Sequence, residues 1–123
     1  MPNQKQTIGK LGEDLAAKFI SDKGYEIVER NYRYGHGEID IVAKDRDNLV
    51  FIEVKTRSSL GFGFPASAVN TRKQRQICRA AQYYLAEQQL FDSPARFDVV
   101  SLLCADGKSL QIDHINNAFD LCE

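Results

Sequence analysis

The sequence predicts an α/β domain in which a mixed central sheet is flanked by helices. Two segments carry apolar residues at helical spacing, and five others have the composition or the alternation of strands. They follow one another in the order α-β-β-β-α-β-β, and no internal repeat or linker interrupts them. A chain of 123 residues suits one domain, residues 1–123, which is long enough to bury a core.

The first helix is predicted from Thr7 to Lys23, with Thr7 as its N-cap and Gly24 as the glycine that ends it. Its apolar stripe is formed by Ile8, Leu11, Leu15 and Phe19. Strand-forming residues then run from Tyr25 to Tyr34 and end at the turn Gly35-His36-Gly37.

Two alternating segments follow and predict an antiparallel hairpin that is closed by the turn residues 45–48. The first runs from Glu38 to Lys44 and separates Ile39, Ile41 and Ala43 from Glu38, Asp40 and Val42. The second runs from Leu49 to Arg57 and separates Val50, Ile52 and Val54 from Phe51, Glu53, Lys55 and Arg57.

The second half of the chain begins with a glycine-rich loop over residues 58–65. A long helix is predicted from Asn70 to Gln89, with Asn70 or Thr71 as its cap. Its apolar stripe is Ile77, Ala80, Ala81, Tyr84 and Leu85. Two further strands are predicted, from Phe97 to Cys104 and from Leu110 to Ile115.

Bulk composition excludes several classes of protein. No apolar run approaches the roughly 20 residues that a membrane-spanning helix needs. The polar N-terminus lacks the apolar segment of a secretory signal, so we expect a cytoplasmic protein with no membrane partner. Three widely spaced cysteines lack the close pairs of zinc sites and predict buried free thiols.

The net charge of −1 conceals a basic segment in the middle of the chain. Between Val54 and Phe91, six basic residues stand against one acid, whereas acids dominate after this segment. A local basic patch determines how a protein attracts a polyanion. A solvated helix face has the same composition, so charge alone leaves both interpretations open.

The predicted hairpin brings two carboxylates together. If Ala43 pairs with Val50, the same register places Asp40 opposite Glu53, with β-carbons about 4.5–5.5 Å apart. Such a pair repels unless a cation lies between the carboxylates, and carboxylate oxygens are ligands that Mg²⁺ prefers. Lys55 projects from the same face as Glu53. It could orient or deprotonate a water, or offset charge that develops on a phosphate.

An ordinary solvent-facing sheet surface is the alternative, with Lys55 and Arg57 neutralising the acids. A slip of one residue in register would separate the carboxylates, so the site hypothesis depends on the register itself.

The motifs GEIDIVA (37–43) and VFIEVKTRS (50–58) resemble the YraN family of bacterial proteins. The resemblance extends to GKLGEDLAAKFISDKGY in the first helix, to the FGFP loop and to KQRQICRAAQYYL in the second long helix. The site motif and the α-β-β-β-α-β order also resemble the PD-(D/E)xK superfamily of restriction-endonuclease-like nucleases, which includes archaeal Holliday-junction resolvases. Ile39 stands where the named pattern has proline.

The resemblance implies hydrolysis of DNA phosphodiester bonds with Mg²⁺ or Mn²⁺, including bonds in branched recombination or repair intermediates. By motif position, Asp40 and Glu53 would be metal ligands and Lys55 the catalytic lysine. The resolvases imply a further catalytic and metal-binding glutamate at Glu13, which otherwise reads as an exposed helix acid. A non-catalytic DNA-binding accessory protein and an RNA-directed nuclease remain alternatives.

Four residues are candidates for nucleic-acid contacts. Arg57 shares the face of Lys55, and Lys73 and Arg75 stand near the start of the second helix, where free amides also attract phosphate. Phe62, in the glycine-rich loop, could stack on bases or anchor the loop to the core. Cutting both strands of a duplex needs two sites, so a homodimer is a candidate assembly.

Overall fold

The computed structural model describes residues 4–57, 70–90, 92–103 and 110–119. The elements in chain order are α1 (Gln4–Asp22), β1 (Glu26–Tyr34), β2 (Gly37–Asp45), β3 (Asn48–Arg57), α2 (Thr71–Glu87), β4 (Ala95–Leu103) and β5 (Gln111–Phe119). This order confirms the predicted α/β fold and contains the α-β-β-β-α-β core of restriction-endonuclease-like proteins. Neither described helix is long and apolar enough to cross a membrane.

The five strands form one mixed sheet in the order β1-β2-β3-β4-β5. Neighbouring strands are antiparallel except β3 and β4, which are parallel. A parallel pair needs a long crossover connection, and α2 lies in the segment that joins these two strands. The mixed sheet expected from the sequence is therefore confirmed.

Helix α2 packs on one face of the sheet through the predicted stripe. Its N-cap is Asn70, whose side chain accepts a hydrogen bond from the Lys73 backbone N–H at 2.9 Å. The helix residues that are buried against the sheet are Ile77, Cys78, Ala80, Ala81, Tyr84 and Leu85. Cys78 is the buried free thiol that the sequence predicts.

Helix α1 packs on the other face, but only part of the predicted stripe takes part: Leu15 and Phe19 pack at the edge of the core. Ala16 and Ile20 are fully buried, whereas Leu11 is 57 % exposed. The reason is the close approach of the helix to β3, where a β-carbon on Gly12 would overlap the Thr56 hydroxyl. Small residues allow this approach. They therefore determine which face of α1 packs on the sheet more than the larger apolar residues do. The predicted cap was also wrong, because α1 begins at Gln4 and Thr7 lies inside it.

Strand β2 departs from the alternation that the sequence predicts. Ile41 and Ala43 pack in the core on the α1 side, as expected. Ile39 instead joins Val42 in the core on the α2 side. The change falls at Asp40, where β2 leaves its pairing with β3. The strict alternation was therefore wrong at the residue that the site hypothesis depends on.

The last strand is longer than predicted and continues to Phe119. Two asparagines interrupt the alternation of apolar and polar residues in this strand, and Asn117 has a positive φ of 53°. Phe119 nevertheless stacks on Phe97 with ring centroids 4.8 Å apart. The tertiary contact, rather than the local pattern, extends the strand.

Candidate functional site

The predicted hairpin register is confirmed, because Ala43 pairs with Val50. The paired residues end at Ile41 and Ile52, one pair before Asp40 and Glu53, so the predicted direct pairing of these two carboxylates was wrong. Continuing the register would place Val54 opposite Ile39. Instead, the Val54 backbone N–H donates to Asp40 Oδ2 at 2.8 Å. At the point where the two strands separate, a backbone N–H of β3 therefore donates to the aspartate side chain rather than to the backbone of β2.

Three carboxylates meet at this fork in the sheet. One oxygen from each of Glu13, Glu38 and Asp40 lies within 4.8 Å of the other two. All three side chains are half-buried. The Asn31 amide nitrogen lies 3.0 Å from Glu38 and 2.9 Å from Glu13, in the orientation that satisfies its hydrogen bonds. Helix α1 supplies one acid and strand β2 supplies two to this cluster, which we call the carboxylate trio (Glu13, Glu38, Asp40), and β1 supplies the amide that donates to two of them.

Burial and the repulsion of neighbouring carboxylates disfavour the charged forms of Asp40 and Glu13. Burial, together with the negative charge of Glu53, raises the pKa of Asp40 to about 8, although the Val54 N–H opposes the rise. Burial also raises the pKa of Glu13, and a hydrogen bond with Asp40 partly offsets this effect. A divalent cation would favour the ionised forms, and oxygen ligands from carboxylates suit a hard cation.

Glu53 lies outside the trio and has cationic partners. Its side chain is buried, with 5 % exposed, and it pairs with Lys73 at 2.5 Å. Lys55 is a more distant partner at 3.9 Å. Glu53 follows Phe51 by two positions, and Phe51 belongs to the core on the α2 side. The start of α2 therefore brings Lys73 directly to the carboxylate.

The two lysines have different electrostatic environments. Burial lowers the pKa of Lys55, and the neighbouring Lys73 lowers it further. Burial also acts to lower the pKa of Lys73, but its hydrogen bond with Glu53 and the negative charge of that carboxylate give a net rise. Lys73 is thus the principal counter-ion of Glu53, and Lys55 is left to act on other groups.

The structure brings together most of the residues that the sequence selects. Glu13 and Asp40 meet in the trio, and Glu53, Lys55 and Lys73 form the adjoining ion-pair group. Arg75 is exposed on α2, and Arg57 is half-buried at the last residue of β3. Phe62 lies outside the described residues, as does the loop that contains it.

The sequence interpretation did not select Glu38 or Asn31 for the site. Glu38 stands two positions before Asp40 on one strand, so alternation alone already placed them on one face. No comparable signal marks Asn31, whose backbone φ of 56° turns it out of the regular strand. Its role depends on the path of β1, which the sequence pattern does not reveal.

An open groove borders the trio on the side of α1 and β1. It is lined by Gly9, Lys10, Glu13, Asp14, Arg30, Asn31, Arg33 and Glu38. Two of its cations are paired locally, Arg30 with Asp14 at 2.7 Å and Arg33 with Glu38 at 3.3 Å. The groove therefore gives solvent access to the carboxylates, with charges of both signs along its walls.

Comparison with solved structures finds a chain described as Pyrococcus furiosus SfsA in complex with Ca²⁺. The similarity covers 91 % of this chain and 63 % of the SfsA chain, with 13 % identity and a TM-score of 0.43. At that level the likeness carries no inference about the ligand or activity of this chain.

Sequence comparisons are more decisive. The chain is 50 % identical to a UPF0102 protein of Trichlorobacter lovleyi over 117 residues, covering 94 % of this chain and 92 % of the relative. It is 49 % identical to a UPF0102 protein of Nocardia farcinica, covering 94 % and 91 % respectively. The model of the uncharacterised protein family UPF0102 matches residues 12–102. This chain therefore belongs to UPF0102, the YraN family that its motifs resemble.

Proposed function

We propose that this protein is a metal-dependent endonuclease that hydrolyses DNA phosphodiester bonds, including those of branched recombination or repair intermediates. The observation that carries the proposal is the carboxylate trio beside Glu53 and Lys55, at the fork between β2 and β3. Three half-buried acids of which only Glu38 has an ion-pair partner among the described residues, Arg33, suggest a site for a further positive charge. Lysines next to them suit a substrate that is itself an anion.

The donor set fits Mg²⁺ or Mn²⁺. Glu13, Glu38 and Asp40 would hold the ion through carboxylate oxygens, with Glu53 as a further ligand once Lys73 releases it. The ion would polarise the scissile phosphate and stabilise the leaving oxygen. The hydrogen bonds of Asp40 with the Val54 N–H and with Glu13 orient its carboxylate, and a bound ion would replace the bond with Glu13.

The side chains around the trio supply the remaining chemistry. Lys55 orients the attacking water and offsets charge that develops on the phosphate oxygens. The water oxygen forms a new bond to phosphorus while the bond to the leaving sugar oxygen breaks. The water gives up one proton to solvent, and the leaving oxygen takes one up. The products are a phosphate monoester and a free hydroxyl.

Four residues would position the DNA. Arg57 at the end of β3 and Arg75 on α2 would contact phosphates on either side of the cleaved bond. Lys73 would move from Glu53 to a phosphate when the carboxylate binds the ion. Phe62, which follows β3 in the sequence, would stack on a base.

Nicking of a branched DNA with Mg²⁺ or Mn²⁺ tests this proposal. We expect Glu38→Gln, Glu53→Gln and Lys55→Ala each to lower the nicking rate by about a hundredfold or more. Glu26→Gln, an exposed acid at the start of β1, is the matched control and should cut normally. Chelation with EDTA should abolish cleavage. Normal rates in all three site variants would refute the enzyme assignment.

A non-catalytic DNA-binding accessory protein is the second candidate, and the Lys73–Glu53 ion pair favours it. A cation would have to compete with an ammonium group that already neutralises the buried carboxylate. Salt-sensitive DNA binding with no cleavage across divalent metals and branched substrates would support this alternative. Cleavage of RNA but not of DNA would instead support an RNA-directed nuclease.

A further inference from the structure

We propose that DNA leaving the cleavage site follows the solvent-facing side of α2, where three arginines hold phosphates and a tyrosine pair stacks on an unpaired base. We call this the α2 outer surface, formed by Arg72, Arg75, Arg79, Tyr83 and, from β1, Tyr34. The inference rests on the proposed function and extends it from single phosphate contacts to a continuous track.

The helix geometry aligns these residues. Arg72, Arg75, Arg79 and Tyr83 are all exposed. At 3.6 residues per turn they fall within one narrow arc, opposite the face that packs on the sheet. With a rise of 1.5 Å per residue, the track from Arg72 to Tyr83 is about 16 Å long, which corresponds to roughly five phosphates of one strand.

The arginines of this surface have no counter-ion in the part of the chain that the structure describes. Arg72, Arg75 and Arg79 form no ion pair with any residue in the described ranges. Helix α2 contains a single acid, Glu87, which lies in its last turn beyond the arginines. Arginines that are not neutralised by their own protein are complementary to a polyanion, and their planar fork matches phosphate oxygens.

The far end of the track is aromatic. The rings of Tyr34 and Tyr83 stack with centroids 3.9 Å apart and an interplanar angle of 10°. Both residues remain exposed, at 45 % and 43 %. A flat aromatic pair that is held in place and open to solvent can stack on an unpaired base, which interacts with any aromatic face. This end therefore suits a single-stranded or frayed arm.

The near end of the track lies at the candidate site. Lys73, next to Arg72 in the first turn of α2, contacts Glu53. DNA that approaches Glu53 would therefore meet the first turn of α2, where Arg72 is the first exposed arginine.

Fluorescence anisotropy with a labelled duplex that carries a single-stranded arm tests the proposal without divalent ions, so that cleavage plays no part. The double variant Arg72→Ala/Arg79→Ala should raise Kd about tenfold and make the slope of log K against log salt shallower by about two. Arg72→Lys/Arg79→Lys should retain the slope, because it keeps both charges. Tyr83→Ala should weaken binding of the arm at least about fivefold without altering the slope, whereas Tyr83→Phe should bind normally.

The matched control is Lys44→Ala/Arg46→Ala, two exposed basic residues at the turn between β2 and β3. An unchanged Kd and slope in the α2 double variant, or an equal loss in this control, would overturn the proposal. So would wild-type protein that shows no salt-dependent DNA binding. If wild-type protein binds through these residues but never cleaves, the track stands and the nuclease proposal fails. If the arginine double variant binds and cleaves DNA as wild type does, the nuclease proposal stands and the track proposal fails.

Discussion

At the scale of single residues, Asp40 is a partly buried carboxylate that lies among other carboxylates. Its carboxylate accepts one backbone N–H, from Val54 at 2.8 Å, and lies among the negative charges of Glu53, Glu13 and Glu38. Burial removes the water that would otherwise stabilise its charge. The ionised form is therefore disfavoured in the absence of a nearby cation. The protonation of Asp40 should depend on pH and should change when a metal binds.

Asp40→Asn tests this sensitivity. The pKa of Asp40 is about 8 in the folded chain against an ordinary value of 3.8. Between these values the folded state binds one more proton than the unfolded state, so Asp40 makes the metal-free protein less stable as pH rises. We expect the Tm of wild-type protein to fall relative to Asp40→Asn between pH 5 and about 8, measured by thermal unfolding in EDTA. A constant difference in Tm across this range would contradict the assignment.

The Lys73–Glu53 pair provides a second test at this scale. Lys73→Ala leaves a buried carboxylate without its main partner, which should cost about 1–3 kcal/mol, because the lysine itself is partly exposed. An added divalent cation would replace the lost charge. Thermal unfolding with and without Mn²⁺ should therefore show a larger metal-induced rise in Tm for Lys73→Ala than for wild type. Arg79→Ala on the same helix serves as the control, and equal rises in both variants would show that Glu53 does not reach the ion.

At the scale of elements, the helices and strands follow from periodicity, while their contact faces depend on close approach. Spacing predicted α2 and its buried stripe well, because that stripe consists of residues that the sheet can accommodate directly. Helix α1 is rotated relative to the predicted stripe, because Gly12 and Ala16 allow close packing on β3 whereas the more apolar Leu11 stays exposed. That rotation brings Glu13, which the sequence alone predicts as an exposed helix acid, into the trio. The register between β2 and β3 could be predicted from the turn that joins them. The separation of these strands at Asp40 could not be predicted.

The two glycines of α1 offer a matched pair of substitutions. Gly9→Ala should stabilise the protein by about 0.5–1 kcal/mol, because no atom lies within 4 Å of the added methyl group and alanine favours helix. Gly12→Ala should destabilise it by about 1–3 kcal/mol, because the methyl group meets the Thr56 hydroxyl and pushes α1 from the sheet. Denaturant unfolding measures both changes.

The same displacement moves Glu13 away from Glu38 and Asp40. Gly12→Ala should therefore weaken Mn²⁺ binding in calorimetry, while Gly9→Ala leaves it unchanged. Normal metal affinity in a destabilised Gly12→Ala protein would show that Glu13 is not a ligand.

At the scale of the whole molecule, the sheet carries two charged clusters with opposite character. The trio has few cations, whereas a second cluster around the fully buried Asp98 is satisfied by hydrogen bonds. Asp98 accepts from the backbone N–H of Asn117 at 2.9 Å and pairs with Arg96 at 3.1 Å and His114 at 2.7 Å. Arg96 also reaches Asp45 and the Tyr25 hydroxyl, and Lys23 contacts the other nitrogen of His114. This cluster joins the segment between α1 and β1 to strands β2, β4 and β5, so we assign it a structural role.

Asp98→Asn separates the two clusters experimentally. Burial alone would raise the pKa of Asp98, but its bonds with His114, Asn117 and Arg96 hold it below the ordinary value. Its stabilising contribution is therefore present above the ordinary carboxyl pKa and is lost as pH falls through the folded value, opposite in sign to Asp40. We expect Asp98→Asn to lose about 3–5 kcal/mol at neutral pH, measured by denaturant unfolding, with a smaller loss in acid. If the trio holds the ion, as we propose, the folded fraction should bind Mn²⁺ with wild-type affinity, because Asp98 lies in the other cluster. A loss of metal binding in fully folded Asp98→Asn protein would show that the two clusters act as one.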